Sequence, residues 1–186
     1  AGGLGLLWAQ ALGFVLVAFL GVGLFVVRDG RAAVARLGLA ASFDWRWWAG
    51  ATLVALASSL LVDGLWSTYA SESLEQVERL SEALFRPYLE AGLLGALTIG
   101  LSAGIGEEIL FRGAVQPRFG IVLTSLIFAV IHTQYTISMA LLQVFIVGLA
   151  LGLTRRHANT TTAIGVHATY NLVLALTMLY GHGSGG

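Results

Sequence analysis

The sequence contains no cysteine and no lysine, and only 11% of its 186 residues are charged. The absence of cysteine excludes disulfides, thiolate nucleophiles and cysteine-ligated zinc. The basic residues are all arginine, and ten of them balance ten acidic residues to give a formal net charge of zero. This balance offers no basic footprint for DNA or RNA, so we expect no nucleic-acid partner.

The chain is instead rich in apolar residues. Hydrophobic residues make up 57% of it, and 24 glycines come in addition. A soluble domain has about 45–50% apolar residues with glycine included, and about 25% charged residues. Too few polar residues remain to cover so large an apolar surface in water. The composition therefore predicts a multi-pass protein of the cell membrane whose first partner is the lipid bilayer.

A membrane-spanning helix needs about 20 mostly apolar residues. Six segments come close to this requirement, at residues 4–27, 48–66, 91–116, 119–132, 137–154 and 162–180. Pro117 and the polar link 155–160 are predicted to be tight turns. The polar stretch 67–90 carries acids at helical spacings and predicts a helix on or outside the membrane. We predict an all-α polytopic transmembrane helix bundle of about six spans, forming one domain over residues 1–186.

The arginines predict the orientation of the bundle. Those in short loops follow the odd-numbered segments: Arg28, Arg31, Arg36 and Arg46 after the first, Arg118 after the third, and Arg155 and Arg156 after the fifth. If every segment crosses, all of them lie on one side, which the positive-inside rule assigns to the cytoplasm. The acidic stretch 67–90 is then expected on the opposite side.

Asp63 lies near the end of the second apolar segment, whereas five ionisable residues on three other segments are candidates for a chemical role: Glu107, Glu108, Arg112, His132 and His167. An ionisable group at bilayer depth costs a few kcal/mol of insertion free energy, so its presence indicates a structural or chemical role. Glu108 and Arg112 are four residues apart, which predicts a buried pair that fixes the fold. A single buried histidine is usually a structural hydrogen-bonder, but five such groups on three segments predict a polar intramembrane cavity with a chemical role.

Glu107 points away from Glu108 on the same helix, and Arg112 cannot easily pair with both carboxylates. A carboxylate and a histidine can together deprotonate a water molecule. His167 and Asn171 share a helix face and can donate hydrogen bonds to a developing oxyanion. These groups indicate amide hydrolysis by activated water. A zinc site of Glu107, His132 and His167 is chemically possible, although the sequence has no H-E-x-x-H motif.

Three motifs in order resemble one known family. Residues 107–112 resemble the EExxxR motif, residues 128–132 the FxxxH motif, and residues 167–171 the HxxxN motif. Together they resemble the CPBP family, which contains the CAAX proteases and the bacteriocin-processing Abi enzymes. The resemblance implies a glutamic-type intramembrane endopeptidase that needs no metal or other cofactor. Its motif-bearing catalytic half is residues 91–181.

The resemblance also implies a role for each motif residue. Glu107 is the base that activates water together with His132, and His167 with Asn171 forms the oxyanion site. Glu108, Arg112 and Phe128 are supporting residues. The implied substrate is a membrane-associated or prenyl-like protein or peptide.

Three other functions stay open at this point. They are a catalytically silent binding or chaperone-like membrane subunit, a zinc-dependent intramembrane protease, and a His/Glu proton or metal-ion transporter. Transporters often consist of two related halves with broken helices, and no internal repeat is visible here. Gly100 with Gly104, and Gly148 with Gly152, predict close packing between helices.

Overall fold

A computed structural model of the chain describes residues 2–132 and 139–181. Within these ranges the structure is helical and contains no β-sheet, which confirms the predicted all-α class. Its elements are α1 (Gly2–Gly21), α2 (Gly30–Leu37), α3 (Trp45–Tyr69), α4 (Ser71–Leu89), α5 (Leu93–Glu108), a π-helical segment (Ile109–Val115), α6 (Gln116–Val130), α7 (Met139–His157) and α8 (Thr160–Gly181). Asp29 and Asp44 cap α2 and α3 by accepting hydrogen bonds from backbone N–H groups of the first turn.

Five helical stretches of the described chain are long and apolar enough to cross a membrane. They are Gly3–Gly21, Trp45–Tyr69, Leu93–Val130, Met139–His157 and Thr160–Gly181. The protein is therefore a polytopic helical membrane protein, as predicted. The third stretch has 38 residues and contains both predicted segments 91–116 and 119–132. Residues 137 and 138, where the fifth predicted segment begins, lie outside the described residues.

The 38-residue stretch is a hairpin rather than one straight rod. A straight helix would separate Glu107 from His132 by about 37 Å, whereas Oε2 of Glu107 and Nε2 of His132 are 4.0 Å apart. The chain reverses at Gly120, whose φ of 77° and ψ of 174° are readily adopted only by glycine. The predicted turn is therefore present but was misplaced at Pro117, which fits in the first turn of α6 because its missing N–H is not needed there.

The second arm of this hairpin is shorter than a full span. From Gly120 to His132 it measures about 18 Å at the helical rise, against about 30 Å for the hydrocarbon core. The fourth predicted segment is therefore a partial span. Its end carries His132 to the level of Glu107.

Glycine pairs allow the helices around the site to approach closely, as their spacing predicts. A Cβ atom on Gly100 would lie 2.7 Å from the carbonyl oxygen of Ala168 on α8, and one on Gly104 would lie 3.0 Å from its nitrogen. On α7, a Cβ atom on Gly148 or Gly152 would lie 3.1 or 2.6 Å from side chains of α6. Larger residues at these positions would force α5 away from α8 and α7 away from α6.

The last turns of α2 and α7 both carry arginines and meet at one end of the bundle. Arg36 donates to the carbonyl of Gly113 at 3.1 Å, and the guanidinium of Arg155 packs against Gly38. The amphipathic helix α4 lies at the other end, between the last residue of α3 and the first of α5. It is outside the five apolar stretches, whereas residues 67–69 of the predicted polar stretch belong to α3.

Candidate active site

A cavity of about 1450 Å³ opens inside the bundle, between α1 and the helices α3 to α8. Its wall contains Glu107, His132, His167 and Asn171. The hairpin supplies the first two of these residues and α8 supplies the others. The structure therefore brings the four predicted catalytic residues to the wall of one cavity, whose other lining residues are mostly apolar.

Glu107 and His132 face each other across a gap of 4.0 Å between Oε2 and Nε2, and their side chains are 14% and 21% exposed. Nδ1 of His132 is 2.7 Å from the carbonyl oxygen of Phe128, which can only accept a hydrogen bond. Nδ1 therefore carries a hydrogen, and in the neutral ring Nε2 keeps its lone pair toward Glu107. Two acceptors at this separation can each receive one hydrogen from the same water molecule.

Glu108 is fully buried and contacts two other polar side chains. Its Oε1 accepts from Nη1 of Arg112 at 3.1 Å, and both side chains are 0% exposed. The same oxygen is 2.8 Å from Nδ1 of His167, which lies 59 residues away in the sequence. The buried pair that the spacing predicted is present. The contact to His167 was not predicted, and it links the supporting pair to the proposed oxyanion site.

Phe128 lies between the two histidines. Its ring centroid is 4.8 Å from that of His132 and 6.0 Å from that of His167. The guanidinium carbon of Arg112 is 4.3 Å from the same ring, a distance typical of a cation–π contact. Phe128 therefore holds both imidazoles with its ring and orients one of them with its carbonyl group.

The hairpin does not continue as a regular helix after Glu108. Residues Ile109–Val115 form a π-helical segment, a rare geometry that is frequent at functional sites. Arg112 lies in this segment, and its Nη2 donates to the carbonyl of Gly148 on α7 at 3.2 Å. The wider turn thus places Arg112 between Glu108 and α7. The apolar segment 91–116 predicts an ordinary helix here.

A second polar cluster, which no sequence motif predicted, lines the cavity. It consists of Ser59 on α3, Gln143 on α7 and Tyr170 on α8, and we call it the Ser–Gln–Tyr cluster. Oγ of Ser59 and the hydroxyl oxygen of Tyr170 are 2.7 Å apart. Gln143 is the only Asn or Gln in the predicted segment 137–154, and Tyr170 adjoins Asn171. These two features were the available signals.

The site does not contain a preformed set of three metal ligands within residues 2–132 and 139–181. Glu107 and His132 approach each other, but Nδ1 of His167 is bonded to Glu108. A zinc ion at this site would therefore have to be bound through Nε2 of His167, or His167 would have to change its side-chain conformation.

The family described as Type II CAAX prenyl endopeptidase Rce1-like matches residues 88–173. This range contains all three motifs, the hairpin and the first half of α8. No curated protein and no solved structure is significantly similar to the chain. The match over residues 88–173 supports membership of the CAAX-protease family, in agreement with the three motifs.

Proposed function

We propose that this protein is a glutamic-type intramembrane endopeptidase of the cell membrane that cleaves a membrane-associated protein or peptide. The observation that carries the proposal is the gap between Glu107 and His132. Both residues face the cavity, their acceptor atoms are 4.0 Å apart, and the ring of His132 is fixed by the carbonyl of Phe128.

Glu107 is the general base in this mechanism. A water molecule donates one hydrogen bond to Oε2 of Glu107 and one to Nε2 of His132, which turns a lone pair of its oxygen toward the substrate carbonyl carbon. Glu107 takes a proton from the water as the oxygen attacks and later gives it to the leaving amine nitrogen. Proton transfer by a positioned side chain contributes about 10²–10⁴-fold to the rate.

His167 and Asn171 stabilise the oxyanion of the tetrahedral intermediate. Nδ1 of His167 is bonded to Glu108, so the ring offers a hydrogen on Nε2 when it is doubly protonated. Glu108 supplies a negative counter-charge to that ring, while Arg112 neutralises Glu108 in the free enzyme. In this scheme Glu108 and Arg112 are positioning residues that act through His167.

The family indicates which substrate to test first. CAAX sequences end in a prenylated cysteine followed by three residues, and we propose a substrate of this membrane-bound kind. The experiment is to incubate the purified protein in detergent with a farnesylated CaaX peptide and identify the products by mass spectrometry. The wild type should release the C-terminal fragment, and Glu107→Gln should not.

Glu90→Gln is a matched control, because it makes the same change at an acid outside the cavity wall and should keep wild-type turnover. Equal products from the wild type and Glu107→Gln would refute the assigned base. Binding of the peptide without cleavage by the wild type would instead favour the silent binding subunit.

A further inference from the structure

A second cavity, of about 360 Å³, lies between α3 and α7, and we call it the α3–α7 groove. It shares no lining residue with the cavity of the proposed active site. Five small or apolar residues form most of its wall: Gly50, Ala51 and Val54 on α3, and Ala150 and Leu153 on α7. Val54 and Leu153 are 57% and 43% exposed, so the groove opens on the outer surface of two membrane-spanning helices. That surface faces lipid.

The α3–α7 groove is polar at one end only. Arg46 and Trp47, in the first turn of α3, complete its wall there. The Trp47 ring stacks on that of His157, the last residue of α7, with centroids 4.9 Å apart and an interplanar angle of 4°. Arg46, Gly50 and Val54 follow one another at intervals of four residues and cover about 12 Å along one helix face. A ligand in the groove therefore meets a guanidinium at one end and apolar surface along the rest.

The end of the bundle that holds Arg46 has an excess of positive charge. Seven arginines and two acids lie there, and the acids, Asp29 and Asp44, accept hydrogen bonds from backbone N–H groups as helix caps. Both exposed ion pairs of the described chain lie on α4, at the other end. None of the seven arginines forms an ion pair within the described residues. Their charge is therefore available to an anion from outside the chain.

We propose that the α3–α7 groove is a binding site for an anionic phospholipid, with an acyl chain along Gly50 and Val54 and the phosphate at Arg46. Arg156 lies three residues after Leu153 on α7 and adds a second cation on that side of the groove. A free phosphate ion would leave the apolar wall unused, and a zwitterionic lipid would bring its own cation toward the guanidinium. The proposed site lies outside the catalytic cavity and does not depend on the peptidase function.

The test is native mass spectrometry of the purified protein in an uncharged detergent, with phosphatidylglycerol or phosphatidylcholine of identical acyl chains. One arginine near a membrane surface contributes about 1 kcal/mol to the attraction of anionic lipid, which corresponds to about fivefold in affinity. We expect the wild type to bind phosphatidylglycerol at least about fivefold more tightly than phosphatidylcholine, and Arg46→Gln to lose most of this preference. Equal binding of the two lipids by the wild type would overturn the proposal.

Arg31→Gln is the matched control for charge. It removes the same charge at the same end of the bundle, but Arg31 is an exposed residue of α2 outside the groove wall. This variant should keep the preference of the wild type. An equal loss in Arg31→Gln and Arg46→Gln would show that the lipid responds to the overall charge of this end, and it would refute a site in the groove.

Gly50→Leu tests the acyl chain without changing the charge. A Cβ atom on Gly50 meets nothing within 4 Å, so the new side chain can fill the groove without a clash inside the protein. A chain excluded from the groove no longer holds its phosphate at Arg46, so Gly50→Leu should also lose the fivefold preference. Gly64→Leu is the control, because Gly64 lies on the same helix, is equally open and is outside the groove wall. A wild-type preference in Gly50→Leu would refute the site, and Arg46→Gln decides alone where Gly50→Leu does not fold.

Discussion

Replacing Arg112 by alanine should destabilise the protein, because it leaves a buried carboxylate without its cation. The guanidinium is 0% exposed and contacts Glu108 at 3.1 Å, the carbonyl of Gly148 at 3.2 Å and the ring of Phe128 at 4.3 Å. Removing one partner of a buried ion pair costs about 3–5 kcal/mol. Replacing Glu107 removes a carboxylate that has no such cation, so the same experiment on Glu107→Ala should show little loss.

The magnitude can be converted into a melting temperature. At about 2–4 °C per kcal/mol for a chain of this length, Arg112→Ala should melt about 6–20 °C below the wild type. The assay is thermal unfolding of the wild type, Arg112→Ala and Glu107→Ala in the same detergent. An Arg112→Ala protein that melts with the wild type would refute the reasoning.

A double variant distinguishes the stranded charge from the lost packing. Glu108→Gln combined with Arg112→Leu removes both charges, and the glutamine can still accept from His167. Neutral replacement of a buried pair is often harmless to stability. We therefore expect the double variant to recover more than half of the lost melting temperature. Its turnover should stay low, because the counter-charge of His167 is gone. Additive losses in the double variant would contradict a role for the stranded charge.

Three further predictions concern the base, the metal and the helix packing. Glu107→Ala should lower kcat by about 10²–10⁴-fold at nearly unchanged melting temperature, measured on the farnesylated peptide. Incubation with a strong chelator should leave turnover unchanged; loss of activity with rescue by zinc would favour Glu107, His132 and His167 as ligands. Gly104→Val should lower the melting temperature, because its Cβ would lie 3.0 Å from backbone atoms of α8, whereas Gly5→Val on α1, where a Cβ meets nothing within 4 Å, should be tolerated.

The spacing of residues along one helix predicted which of them share a face of that helix. The Glu108–Arg112 pair and the close approach at Gly100 and Gly104 follow from positions four residues apart, which share a helix face. The bond between Glu108 and His167 joins two helices, and no spacing within either one encodes it.

Other features had no clear signal in the sequence. The π-helical segment changes the backbone geometry around residues whose side chains are equally compatible with an α-helix. Proline usually marks helix ends and therefore predicts the turn at Pro117. A helix tolerates proline in its first turn, however, and the positive φ of the turn is at Gly120. Ser59 and Tyr170 are each ordinary in a membrane helix, and only the fold brings them together.

The hairpin at Gly120 has a consequence for how this protein enters the membrane. Its first arm carries Glu107, Glu108 and Arg112, and a charged residue at the centre of an inserting helix costs about 2.5–3.5 kcal/mol on the insertion scale. Contacts that offset this cost lie partly on the second arm, where Phe128 covers Arg112 and His132 faces Glu107. The first arm alone should therefore insert into the membrane poorly. We expect the two arms to leave the translocon together as one helical hairpin.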